Sequence, residues 1–184
     1  VSDMLQRIRE LAVQSVSDTN SPKDREYLQD EVRSLIAEID RVADQTLYNG
    51  ESLLDGSRSG SIQVGAQAGQ TVGFNIKSIR ASDLGESGFT AGQSLADIDL
   101  SLNPSDALEI ITGAIEQVAR DRAGYGALQN RLDYTVSNLL NVVEFTVAAR
   151  SRIEDADFAV ESSRLAKARL LQQASTAMLA QANA

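Results

Sequence analysis

Histidine, cysteine and tryptophan are absent from these 184 residues, and aromatics reach only 4%. Without histidine, no imidazole base can serve a serine or cysteine nucleophile. Without cysteine there is no Cys/His zinc site and no disulfide, although lack of cysteine leaves the compartment open. Proline occurs twice, at Pro22 and Pro104, so the last eighty residues run free of the strongest helix breaker. Basic residues are in the minority, 17 against 26 acidic ones for a net charge of −9. That balance argues against nucleic acid or an anionic membrane as partner. No apolar run is long enough to span a bilayer. With so few aromatics, aliphatic residues and alanine must do the packing, which suits helices meeting at close range.

What is present is helical periodicity. From Asn103-Pro104-Ser105-Asp106 onward, apolar residues recur three and four apart: Leu108, Ile111, Ile115, Val118, Tyr125, Leu132, Val136, Leu139, Val143 and Ile153. This is a coiled-coil seam. At about 1.5 Å per residue such a helix approaches roughly 120 Å, too long for one globular core to cover. It needs partner helices, so the pattern points to assembly before chemistry. Beyond Ile153 the seam turns alanine-rich, and alone that tail is a marginal helix in water.

Two helices precede it. The first spans 1–18, with Met4, Ile8, Leu11 and Ser15 as a stripe and Leu5, Ala12 and Val16 beside it. The second spans 22–45, with Ser21 as N-cap, Pro22 as first residue, Asp24 as capping-box partner and a seam of Leu28, Val32, Leu35, Ile39 and Val42. Asn49-Gly50 marks a turn. Over 57–79, Ile62 and Val64, then Val72, Phe74 and Ile76, alternate with polar residues, as in a β-hairpin. The stretch 81–102, rich in Gly, Ser and Asp, reads as an irregular connection whose Ser87, Thr90 and Ser94 lie in the most exposed candidate loop. Gly124-Tyr125-Gly126 interrupts the long helix; a bend, a close backbone approach or a tolerated weak spot would each explain it. The expected fold class is mainly α: a coiled-coil-like rod, two N-terminal helices packed on one long C-terminal helix, with a small β-hairpin.

The charged cluster Arg150, Arg152, Glu154, Asp155 and Asp157 has the spacing of helical ion pairs, Arg150 with Glu154 and Arg152 with Asp155, rather than of an acid–base site. Asp97, Asp99 and Asp106 fit no EF-hand loop, and loop or cap roles are expected. No cofactor is expected.

Three segments together resemble bacterial flagellin. They are Leu5–Ser15; Glu38–Ala43 with Tyr48-Asn49-Gly50; and Ala149–Ala159 continuing through Leu171-Gln172-Gln173-Ala174 and Ala177–Asn183. The resemblance implies a minimal flagellin without variable outer domains, with a rod domain over 1–152 and part of the inner-tube domain over 153–184. A chain that opens at Val1 in helical pattern reads as a fragment lacking the family's N-terminal segment. It is expected not to build a normal filament.

The resemblance further implies a structural, non-enzymatic subunit that polymerises into the flagellar filament. Such a protein is extracellular, exported by the flagellar type III apparatus without a cleaved signal peptide. The alternative within the flagellum is the hook-filament junction protein. Expected partners are further copies of the chain, a secretion chaperone and the vertebrate toll-like receptor for flagellin. The receptor-active pattern falls on Arg7, Leu11 and Glu31; Leu11 also lies on the apolar stripe of its helix, which gives it a rival role in the core. Arg9, Glu10 and Gln14, with Asn130, Arg131 and Asn138, are further candidate contact residues. The chaperone and inner-tube helix would use Phe158, Leu165, Leu170, Leu171, Met178 and Leu179.

Overall fold

A computed structural model describes residues 1–85, 92–154 and 158–183. The chain divides into two compact units, Val1–Asp133 and Tyr134–Ala184, each taken by itself below.

In the first unit, α1 spans Ser2–Val16 and α2 spans Pro22–Gln45. The start of α2 is set by the expected reciprocal cap. The Asp24 N–H donates to Ser21 Oγ at 3.2 Å and the Ser21 N–H donates to Asp24 Oδ2 at 3.0 Å, which satisfies two groups that a helix start otherwise leaves unpaired. After α2 come two short antiparallel hairpins. In the first, β1 (Leu47–Tyr48) pairs with β2 (Glu51–Ser52) around Asn49-Gly50. In the second, β3 (Ser59–Gln63) pairs with β4 (Thr71–Asn75), with Ile62 opposite Val72. Its loop is organised by Gln63, whose Nε2 donates to the carbonyls of Gly65 and Gln67 at 2.6 and 2.7 Å.

The long helix α3 runs over Pro104–Glu154. Its buried line is Ala107, Ile110, Ile111, Ala114 and Val118. Leu108 and Ile115, expected in the seam, sit only partly buried at its edge. Beyond Val118 the expected seam is less buried: Leu132 is partly buried, and Val136, Leu139, Val143 and Ile153 are exposed. At Gly124 and Gly126 nothing lies within 4 Å of where a Cβ would stand, so close approach is not their role. Tyr125 between them accepts a hydrogen bond at its hydroxyl from the Lys77 N–H, at 2.9 Å.

The core of this unit joins Leu5, Ile8, Leu11 and Ala12 of α1 to Val32 and Ile39 of α2 and to the buried line of α3. It also takes in Ala81, Leu84, Leu95, Ile98 and Leu100. The connection expected to be irregular and exposed is therefore a core layer, with 3₁₀ turns at Ala81–Asp83 and Leu95–Asp97. Ser94 is 8% exposed and caps the second turn with Asp97, which removes it as an accessible modification position. Ser87 and Thr90 lie outside the described residues.

The second unit holds the end of α3 and α4, Phe158–Ala182. Arg150 Nε meets Glu154 Oε2 at 2.7 Å as the spacing predicted. The expected partner of Arg152, Asp155, lies outside the described residues.

Candidate functional site

Among the described residues no group of three or more acidic side chains is placed to hold a metal, and no helix is long and apolar enough to cross a membrane. The features that stand out are surfaces.

On the first unit, Arg7 projects from α1 toward α2. Its Nε and Nη2 donate to Glu31 Oε1 at 3.0 and 2.8 Å, and Nη1 donates to Glu10 Oε2 at 3.2 Å. One guanidinium thus ties a carboxylate on each of two helices. Its pKa is raised further, first by the hydrogen bond to Glu31 and then by that to Glu10. The Arg7 side chain remains half exposed, as does that of Glu31, so the ion pair is fixed in direction yet open to a partner. A planar donor fork held this way loses less freedom on meeting a further acceptor. The structure brings Arg7, Glu10 and Glu31 together.

Leu11 does not belong to that surface. It is 1% exposed and packed in the core with Leu5, Ile8 and Val32. Its place one turn beyond Ile8 on the buried stripe removes it from direct contact with any partner and leaves it the role of seating α1. Arg9, Gln14, Asn130 and Arg131 are exposed. Asn138, in the second unit, is exposed as well.

The second unit presents apolar rather than charged surface. Phe158 is 86% exposed, and Leu165, Leu170, Leu171, Met178 and Leu179 are exposed with it. On the end of α3, Leu140, Val142, Phe145 and Val147 are equally bare, alongside the expected Leu139 and Val143. The +3/+4 rule singled out one stripe and missed these others. Their signal was the density of apolar residues between Val136 and Val147, on more faces than a single seam needs. A helix apolar on several sides requires neighbours on several sides.

Residues 1–59 match the family model of the bacterial flagellin N-terminal helical region, and residues 108–184 match that of the bacterial flagellin C-terminal helical region. A flagellin of Halalkalibacterium halodurans is 40% identical over 184 residues, 100% of this chain and 66% of the relative. A flagellin of Bacillus subtilis is 38% identical, over 98% of this chain and 68% of the relative. A Listeria monocytogenes flagellin is 40% identical, over 100% and 67%. The chain thus spans about two thirds of the length of the curated relatives it matches. Among solved structures, Bacillus cereus flagellin aligns with a TM-score of 0.56 at 28% identity, over 74% of this chain and 76% of that one. The structure of FliC from Burkholderia pseudomallei aligns with a TM-score of 0.62, over 70% of this chain and 93% of that one; at 24% identity it speaks to the fold alone.

Proposed function

We propose a function from one premise, that this chain belongs to the bacterial flagellin family: it is a structural subunit that polymerises through helical faces into the extracellular flagellar filament. The observation that carries this is the bare apolar surface of the second unit. Large side chains from Val136 to Val147 and from Phe158 to Leu179 stand in water in the single chain. Exposed large apolar side chains at this density mark a surface that another chain covers. Contacts between unlike faces that do not close into a ring generate an open helical polymer. The three curated relatives described above carry the name flagellin, which supports the filament subunit over the hook-filament junction protein.

Within this function, residues 1–152 act as the rod domain and 153–184 as a helical part of the inner tube. The exposed α4 side chains Phe158, Leu165, Leu170, Leu171, Met178 and Leu179, spread around the helix, are what a secretion chaperone would cover before export through the flagellar type III apparatus. The ion-paired group Arg7–Glu10–Glu31, with Arg9 and Gln14 exposed on the same helix as Arg7, is the surface offered to the toll-like receptor for flagellin. Leu11 supports it from beneath. Asn130, Arg131 and Asn138 are further exposed candidates for contact between subunits.

Sedimentation of the chain at rising concentration, with electron microscopy of what pellets, tests the polymerisation. Assemblies that vanish when Leu140 and Val143 are both changed to Glu, with the melting of the first unit unaltered, are the expected result. A normal filament is not expected of this chain, so assemblies of any shape count; a chain that stays monomeric at every concentration overturns the polymerisation.

A further inference from the structure

The tight turn after α2 has chemistry that polymerisation does not use. Leu47 pairs with Ser52 and Tyr48 with Glu51, which leaves Asn49 and Gly50 as the two turn residues. Their φ values are 53° and 80°. Positive φ at both central positions is the geometry that Asn-Gly favours in two-residue hairpins. Both residues are exposed. Among the described residues, no group of the chain hydrogen-bonds the Asn49 carboxamide or the Gly50 N–H. Nothing lies within 4 Å of the point a Cβ on Gly50 would occupy.

We propose that Asn49 is a site of spontaneous deamidation and isomerisation, with the backbone nitrogen of Gly50 as nucleophile. That nitrogen gives up its proton and attacks Asn49 Cγ. A new N–Cγ bond forms, the Cγ–Nδ2 bond breaks, and the side-chain nitrogen leaves with the proton as ammonia. The resulting cyclic imide is opened by one water molecule. Its hydroxyl goes to one of the two imide carbonyl carbons and its proton returns to the nitrogen. Opening at Cγ leaves aspartate; opening at the backbone carbon leaves isoaspartate, with the main chain rerouted through the side chain. Each product replaces a neutral amide by a carboxylate beside Glu51.

The other asparagines are poorly placed for this step, and Asn183 is followed by Ala184, whose side chain hinders the attacking nitrogen. Asn49 is the one followed by glycine, whose missing side chain leaves the attacking nitrogen unhindered and its backbone free to rotate. Asn103 precedes Pro104, which has no N–H to lose. Asn130, Asn138 and Asn141 lie inside α3, where the following N–H is engaged in the helix. Asn75 ends β4 before the branched Ile76, whose N–H is bonded to the Arg58 carbonyl. Asn20 spends its carboxamide on the Gln14 carbonyl.

The turn is coupled to what surrounds it. Ion pairing joins Glu51 to Arg58 at the entry to the second hairpin. Isoaspartate lengthens the turn backbone, and hairpin register depends on turn length. The modification therefore acts as a slow, one-way change of charge and register at this corner.

The test holds the folded chain at mildly alkaline pH and follows each asparagine by peptide mass mapping and by isoaspartyl methyltransferase labelling. The unfolded chain and the Asn49→Gly variant, which keeps a turn able to adopt positive φ, are run beside it. Asn49 is expected to convert at least about tenfold faster than any other asparagine in the folded chain, and N49G is expected to remove the label. Retention of the amide in the folded chain while the unfolded chain converts overturns the proposal. So does faster conversion at another asparagine.

Discussion

The side-chain oxygen of Gln29 on α2 accepts a hydrogen bond from the backbone N–H of Leu100 at 2.8 Å, across 71 residues of sequence. The same carboxamide donates through Nε2 to the Ile98 carbonyl at 3.0 Å. Gln29 thus pairs with the connection as a neighbouring strand would, and does so while 5% exposed. A second glutamine repeats the device at the other end. Gln117 of α3 accepts from the Gly85 N–H at 3.2 Å and donates to the Asp83 carbonyl at 2.9 Å. Two amides on two helices satisfy backbone groups that have no strand beside them, which allows a segment without regular structure to join the core.

Gln29→Ala leaves a buried donor and a buried acceptor without partners. An unsatisfied buried group costs about 1–3 kcal/mol, so the variant should lose about 3 kcal/mol of stability. Urea unfolding followed by far-UV circular dichroism reads this as a lower midpoint at unchanged slope. A loss below about 0.5 kcal/mol would mean that water replaces the clamp.

Two glycines should respond in opposite directions. At Gly85, φ is +87°, and a Cβ would stand 2.7 Å from Ile110 Cγ2 and 3.0 Å from the Ile110 carbonyl oxygen. The neighbour is partly backbone and cannot swing away, so Gly85→Ala should cost about 3 kcal/mol. Gly124 sits in a helix interior with open space around it, so Gly124→Ala should stabilise by about 1 kcal/mol. Thermal melts of the two variants decide the matter, and shifts of the same sign would contradict the geometry.

Acid should weaken the first unit through its caps. Asp24 is held below the ordinary carboxylate range by the Ser21 side chain and then by the Ser21 N–H. Asp97 is held likewise by Ser94, and Asp99 by the Ser101 side chain, with the N–H groups of Ser101 and Leu102 helping. A carboxylate whose folded pKa is depressed favours the folded state above its unfolded value of about 3.9, and the contribution disappears as pH falls through the lower folded value. Urea midpoints should be flat from neutral pH down to about 5 and then fall below about 4. Ser21→Ala should make that fall shallower; an unchanged acid limb would show that the cap contributes nothing to it.

Arg7→Ala should lower signalling through the toll-like receptor for flagellin more than it lowers the melting temperature. The ion pairs it removes are solvent-screened, and exposed pairs contribute little to folding. Reporter cells and a thermal melt on the same preparations measure the two effects. Leu11→Ala serves as the contrast, since its side chain is buried and should cost about 2–5 kcal/mol of stability. Equal proportional losses for Arg7→Ala in both assays would remove it from the contact surface.

The sequence by itself determined the first two helices, the start of the long third one and the family. Proline at Pro22 and Pro104, the Ser21/Asp24 cap and the +3/+4 spacing are local signals, legible because a helix is built from contacts within four residues. Of the N-terminal stripe, Leu5, Ile8, Leu11, Ala12 and Ser15 are buried, whereas Met4 is partly buried and Val16 at the helix end is exposed. Tertiary structure alone decided which part of the long seam is covered, and by what. Residues 81–102 carry no periodicity, so nothing local announced that Leu84, Leu95, Ile98 and Leu100 close the core. That outcome rests on Gln29 and Gln117, whose hydrogen bonds span 71 and 34 positions respectively. Likewise Val136, Leu139 and Val143 obey the same spacing as Ile111 and Val118, yet their side chains are exposed. Spacing specifies which side of a helix wants a neighbour; only the fold shows whether the neighbour comes from the same molecule.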